Sequence, residues 1–174
     1  MKTRGSSSWT TPERCSINRL LSLTEAAIDA SSIIYMLKAG FLGLLGHTVR
    51  LLTIDVIREE TGWQPPEVEV RREPALEAGG AGPGVEELSN DERLLRFAAA
   101  FGLPVISEDR GLLEEAGRRG LDYYNSLMML LLLRYRGRID EGWYAEARNR
   151  LLSIGRYGDE ILRQYDKLSR ELGL

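Results

Sequence analysis

One cysteine and one histidine are all that this chain of 174 residues contains of the two side chains most used for soft-metal and nucleophilic chemistry. Cys15 has no partner for an internal disulfide and no neighbours for a thiolate cluster, a usage suited to a reducing cytoplasm. With His47 alone, zinc sites built on several histidines, Ser-His-Asp triads and paired histidine bases are excluded together. Long hydrophobic runs are missing as well. The longest, Leu127 to Leu133, falls far short of the roughly 18 residues of a membrane-spanning helix. No apolar core follows Lys2 and Arg4, so no secretory leader is expected. Positive charge is not in excess: 23 Lys and Arg stand against 26 Asp and Glu, a net charge of -3, so any nucleic-acid contact must use a local patch. What remains is a cytoplasmic protein without membrane association, whose chemistry falls to carboxylates and hydroxyls.

The most informative stretch is Pro104-Val105-Ile106-Ser107-Glu108-Asp109-Arg110. A short β-branched run is followed by a hydroxyl and two acids, and a helical pattern resumes at Leu112-Leu113 and Ala116. This predicts a buried parallel strand that delivers Ser107 and Asp109 to the crevice above a sheet. Similar units recur along the chain. Ala26 to Asp29 reads as a strand ending in a carboxylate, with Ser31 or Ser32 capping the helix that follows. Val49 to Thr53 reads as a second strand, with Thr53 as cap of a helix that carries Glu59 and Glu60. Glu67 to Arg71 alternates with period two, as an edge strand does. Residues 73–87, rich in Gly and Pro, read as a mobile loop. Ser89 or Asn90 then caps a helix containing Asp91 and Glu92, a short strand lies at Leu121 to Tyr123, and Asn125 or Ser126 caps an all-apolar helix. Asp140 and Asp159 are expected to cap two final helices.

Strands alternating with helices imply an α/β fold, three layers deep, with a central parallel sheet and a C-terminal helical extension. Residues 1–22 read as a disordered or loosely docked arm, 23–135 as the main domain, and 136–174 as helices that pack on it or form an oligomer interface such as a homodimer.

Asp29 and Asp109 end strands, while Glu59 and Asp91 lie near the starts of helices, so in a parallel sheet all are expected on one edge. Carboxylates gathered there repel unless a hard divalent cation sits among them, and Mg²⁺ or Mn²⁺ suits an all-oxygen set. Such a site catalyses phosphodiester hydrolysis without a histidine. The ordered pieces Ile28-Asp29-Ala30-Ser31, Val56-Ile57-Arg58-Glu59, Leu88-Ser89-Asn90-Asp91 and Val105 to Arg110 resemble a PIN domain, the nuclease fold of VapC-like toxins and related RNA-processing enzymes. The resemblance runs from about residue 24 to 135, with a weaker echo through Tyr157.

It implies an endoribonuclease dependent on Mg²⁺ or Mn²⁺, with Asp29, Glu59, Asp91 and Asp109 lining the metal site and Ser107 positioning water or a ligand. Cleavage of single-stranded or structured RNA would leave a 5′-phosphate and a 3′-hydroxyl, and the VapC-like branch adds an antitoxin protein as partner. Glu60 and Glu92 directly follow two of these acids and stand as second choices for them. The interval from Ser89 favours Glu92, whereas counting back from Gly102 to Ala98 favours Asp91. Arg134, Arg136 and Arg138, around Tyr135, form the most basic stretch, and with Arg110 they are the candidate RNA contacts. The competing reading is a catalytically inactive RNA-binding or protein-interaction module on the same fold.

Overall fold

The computed structural model describes residues 17–62, 64–74 and 88–174. Five short strands, β1 (Glu25–Ile28), β2 (Arg50–Ile54), β3 (Val68–Arg71), β4 (Val105–Ile106) and β5 (Tyr123–Tyr124), form one parallel sheet in the order β3-β2-β1-β4-β5. Central strands of a sheet covered on both faces have no polar side to present. In β1 only Glu25 is exposed, and both residues of β4 are buried. Ala27 pairs with Leu52 on one side and Val105 on the other, and Ile28 pairs with Ile106.

Nine helices follow or precede these strands among the described residues: α1 (Ile17–Leu21), α2 (Ala30–Ala39), α3 (Leu42–Gly46), α4 (Asp55–Thr61), α5 (Asn90–Phe101), α6 (Arg110–Arg118), α7 (Ser126–Tyr135), α8 (Glu141–Ile154) and α9 (Asp159–Glu171). α5 and α6 pack on each other and on β1, β2, β4 and β5, while α2, α3 and α7 contact one another in the opposite layer. α8 lies against α2 and α7, and α9 against α7. The three-layer parallel α/β architecture with a helical C-terminus is therefore the observed fold. Among the described residues, no helix is long and apolar enough to cross a membrane.

The strand order has one consequence for the site. From β1 the chain steps outward to β2 and β3, then returns to the other side of β1 as β4. The connections therefore diverge between β1 and β4. A crevice opens at such a switch point, beyond the strands' C-terminal ends.

Several local expectations are corrected. Part of the expected loose arm, residues 17–22, includes α1, whose Leu20 is fully buried and whose Arg19 pairs with Asp122 at 2.9 Å. Residues 1–16 of that arm, and 75–87 of the Gly- and Pro-rich loop, lie outside the described residues. Thr53 does not cap α4. Its hydroxyl is buried and donates to the Ile28 carbonyl at 2.9 Å, tying β2 to β1. The cap of α2 is neither Ser31 nor Ser32 but Asp29, one turn earlier. Gly158, rather than Asp159, is the N-cap of α9, and β5 begins at Tyr123 rather than Leu121.

Arg136 has a structural task. Its guanidinium donates to the carbonyls of Leu21 at 2.9 Å, Leu23 at 2.7 Å and Thr48 at 3.3 Å. It thereby clamps the chain just before β1 and β2 to the end of α7. Arg136→Met keeps much of the stem and removes all three bonds, leaving main-chain acceptors to find water. A loss of about 2 kcal/mol is expected in urea unfolding, the range for hydrogen bonds to a charged donor. A loss well under 1 kcal/mol would show that solvent already shares these carbonyls.

Candidate active site

A helix that follows a parallel strand begins at that strand's C-terminal end, and one that precedes a strand begins on the same edge because it runs antiparallel to it. The starts of α2, α5, α6 and α7 thus gather on one side of the sheet, with their unsatisfied N–H groups and partial positive charge. Short acceptor side chains are favoured there, and each of these starts has one. Asp29 Oδ1 accepts from Ser32 N–H at 2.8 Å, Ser89 Oγ from Glu92 N–H at 3.2 Å, Asp109 Oδ1 from Leu112 N–H at 2.8 Å, and Asn125 Oδ1 from Met128 N–H at 3.0 Å.

Asp29 stands at the switch point. Only 6% of its surface is exposed, yet its second carboxylate oxygen accepts from Ser31 Oγ at 2.7 Å and from Ser107 Oγ, across the strands, at 2.6 Å. Ser107 Oγ in turn accepts from Asp109 N–H at 2.9 Å, and Ser31 Oγ from Glu108 N–H at 3.2 Å. Two hydroxyls therefore stitch the tail of β1 to the tail of β4 around one carboxylate. Burial pushes the Asp29 carboxyl above its ordinary value, and the bonds from Ser107, Ser32 and Ser31 only partly offset it.

Asp109 and Asp91 occupy neighbouring helix starts and interact through their charges. The Asp91 side chain reaches solvent, but partial desolvation among its neighbours raises its carboxyl, and the carboxylates of Asp109 and Glu60 raise it further. Glu92 lies in the opposite electrostatic setting. Arg119 and Arg96 hold its carboxyl below the usual range, with Arg119 at 2.6 Å and Arg96 at 2.7 Å. Those contacts bind α5 to α6, so in the structure Asp91 joins the acidic edge and Glu92 serves the helix pair.

On α4, Glu60 accepts from Asn90 Nδ2 at 3.2 Å and so reaches the start of α5. Glu59 is exposed. The structure brings together Asp29, Ser107 and Asp109, places Asp91 and Glu60 beside them, and leaves Glu59 outside this set.

The candidate RNA contacts divide. Arg110 stands on this edge, two-thirds exposed, and pairs with Glu114 at 2.9 Å. The others do not. α7 starts at the edge and runs away from it for 10 residues, about 15 Å at 1.5 Å per residue. Arg134, Arg136 and Arg138 therefore lie at the far side of the sheet, where Arg134 donates to the Ile139 carbonyl and Arg136 forms the clamp described above. They stand away from the acidic edge.

Glu108 was not anticipated. Its carboxylate accepts from Ser126 N–H at 2.6 Å, at the first residue of α7. Burial raises its carboxyl, the Ser126 and Tyr157 groups facing it lower it, and the Asp29 carboxylate raises it again. In the sequence it stands only as one of two acids after the strand, between the candidate residues Ser107 and Asp109. No local signal tells that α7 and the α8–α9 turn close over it.

The donors on this edge are oxygens throughout, which suits a hard divalent ion, and the mutual repulsion of Asp91 and Asp109 is of the kind that a cation relieves. In kind the residues suit such an ion. Among the described residues, no three Asp, Glu, His or Cys side chains stand close enough to hold one jointly as they are set.

No family model matches the chain, and the search of curated proteins found no match. Among solved structures, the chain is similar to a PilT N-terminus domain protein, SSO1118, from the hyperthermophilic archaeon Sulfolobus solfataricus P2. The two share 16% identity at a TM-score of 0.41, over 64% of this chain and 92% of the other. The chemistry of the site rests on its own residues.

A carboxyl raised by the fold contributes stability that is complete below its unfolded value, near 3.8 for Asp29, and is lost as the pH rises through the higher folded value. Above its folded value the buried Asp29 carboxylate is a net burden. Asp29→Asn retains an acceptor for Ser32 N–H and removes the charge. It is expected to raise the urea midpoint near neutral pH and to lose that advantage as the pH falls toward 3.8. A lower midpoint at neutral pH would mean that the hydrogen bonds to the carboxylate outweigh its desolvation.

Proposed function

We propose that this chain is a divalent-metal-dependent endoribonuclease of the PIN-domain kind, acting at the crevice between β1 and β4. One observation carries the reading: Asp29 is held buried across the switch point by Ser107, with Asp109 and Asp91 at the adjoining helix starts. The resemblance of the four ordered motifs supports the same assignment.

In this reading Asp29, Asp91 and Asp109 would hold a Mg²⁺ or Mn²⁺ ion, with Glu60, which contacts α5, preferred to Glu59 as a further carboxylate. A bound ion of this kind supplies Lewis-acid activation of water and neutralises charge at the scissile phosphate. The chain's own groups do the rest. Ser107 and Ser31 fix the rotamer of Asp29 and keep its oxygens aimed along the edge. The N-termini of α2 and α6 present positive partial charge on the side where an anionic backbone would approach. Arg110, on that edge, is placed to meet a phosphate by exchanging its bond to Glu114. The products would carry a 5′-phosphate and a 3′-hydroxyl, and a toxin role with an antitoxin partner goes with the resemblance alone.

A second reading has its own support. The acids of the described residues do not converge on one point, as an inactive RNA-binding or protein-interaction module would allow. Incubating the pure protein with RNA and Mn²⁺ separates the two. The nuclease reading expects cleavage that falls at least about a hundredfold in Asp29→Asn and Asp109→Asn, a loss near 2.7 kcal/mol of transition-state stabilisation. Cleavage unchanged in those variants overturns the assigned site, whereas no cleavage with any divalent ion tried and no thermal shift on adding Mn²⁺ favours the module. The pairs Asp91→Asn against Glu92→Gln, and Glu60→Gln against Glu59→Gln, settle the register. Cleavage is expected to fall in the first member of each pair and to hold in the second.

A further inference from the structure

Glu108 lies between two candidate site residues, Ser107 and Asp109, and nothing in the proposed reaction has used it. Its surroundings come from parts of the chain distant in sequence. Ser126 N–H, the first of α7, donates to its carboxylate at 2.6 Å. Although the Met128 N–H of that helix is already capped by Asn125, Glu108 adds a second grip on the same terminus. The hydroxyls of Ser126 and Tyr157 are fully buried, without a partner at ordinary hydrogen-bond geometry, and both face this carboxylate.

Tyr157 belongs to the turn between α8 and α9, outside the α/β core. It is seated there by close packing. A Cβ on Gly155 would lie 2.5 Å from the Tyr157 ring and 3.0 Å from the ring of Tyr35 on α2, so the turn fits only because residue 155 has no side chain. Tyr35, Gly155 and Tyr157 thus lock the C-terminal helices onto the helix that Asp29 caps. A neutral acceptor would bond Ser126 N–H at lower desolvation cost than an acid beside Asp29 does. What the site needs from residue 108 is an acceptor that reaches the start of α7.

We propose that Glu108 and Tyr157 are positioning residues of the candidate site: Glu108 grips the start of α7, Tyr157 covers its carboxylate from the α8–α9 turn, and together they hold Ser107 and Asp109 in place against Asp29. The link is short. The Glu108 N–H bonds Ser31 Oγ, and its chain neighbours carry the Ser107 and Asp109 bonds already described. The C-terminal helical extension is then part of the site's scaffold rather than an appendage. This inference rests on the nuclease reading only for its activity readout.

The test uses the full chain with Glu108→Ala, Glu108→Gln and Tyr157→Phe, the last removing a single oxygen and so sparing the fold. Hydrogen–deuterium exchange is followed over residues 107–112, and RNA cleavage is titrated with Mn²⁺. Glu108→Ala and Tyr157→Phe are expected to speed exchange in that segment and to raise the Mn²⁺ midpoint about tenfold, the usual cost of losing a support to a metal ligand. The rate at saturating Mn²⁺ should change less than the midpoint. Glu108→Gln, which keeps an acceptor for Ser126 N–H, should restore exchange close to that of the unaltered protein. A lower melting temperature with an unchanged Mn²⁺ midpoint and unchanged exchange at 107–112 overturns the proposal, leaving both residues merely structural. If the unaltered protein neither cleaves RNA nor responds to Mn²⁺, the nuclease reading fails, and exchange over 107–112 alone decides this inference.

Discussion

The hydrogen bond from Ser107 to Asp29 is the contact on which the rest of this edge depends. It spans 78 positions of sequence and joins the tails of two adjacent strands where the sheet's connections diverge. A carboxylate withdrawn from water is unfavourable unless donors surround it, and here a main-chain N–H and two hydroxyls do so. The same three bonds fix the direction of the carboxylate. Stability and aim are therefore not separable at Asp29. A group held so firmly, against a burial that raises its pKa, is a strained choice for a helix cap, and Asn125 shows that a neutral residue caps equally well on the same edge.

The starts of α2, α4, α5, α6 and α7 meet on that side because every strand is parallel, and the resulting field is positive before any side chain is considered. Acids placed there are stabilised singly and repel in company. Asp91 and Asp109 are in that position, and Glu60 adds to it. The Arg side chains of the neighbouring helices do not relieve it, since Arg96 and Arg119 are engaged with Glu92, and Arg118 and Arg119 with Glu115. Among the described residues, the repulsion of Asp91 with Asp109 and Glu60 contrasts with acids such as Glu92 and Glu115 that are paired with arginines.

The opposite edge has a different character. Arg136 draws together the ends of α1, α3 and α7 by donating to main-chain carbonyls, and Arg19 ties α1 to the loop before β5. These contacts hold the strands' starting points in register. Because α7 runs from one edge to the other, its first residue is gripped by Glu108 and the segment after its last by the Leu21 and Leu23 carbonyls. The helix with the most continuous apolar surface is in this way anchored at both ends by polar bonds, and any slip of it would be felt at Glu108.

Strand and helix identity were legible in the sequence because they depend on near neighbours. Val105-Ile106 bounded by Pro104 and Ser107, the period-two alternation at 68–71, and the apolar stripe of α5 each announce an element without help. The parallel fold class followed from the alternation of such elements, and with it the expectation that Asp29, Asp91 and Asp109 share an edge. Tertiary structure decided what periodicity cannot reach. Glu59 and Glu60 differ by one residue in sequence and by about 100° around α4, and only the position of Asn90 selects Glu60 as the one that contacts α5. The basic run from Arg134 to Arg138 reads as a nucleic-acid patch until the direction of α7 carries it to the far side of the sheet. Glu108 became half-buried only when α7 and the turn at Tyr157 closed over it, a burial created by contacts from 18 positions away and beyond. Local chemistry named the acids. Long-range packing, which no short stretch of sequence encodes, determined which of them face one another.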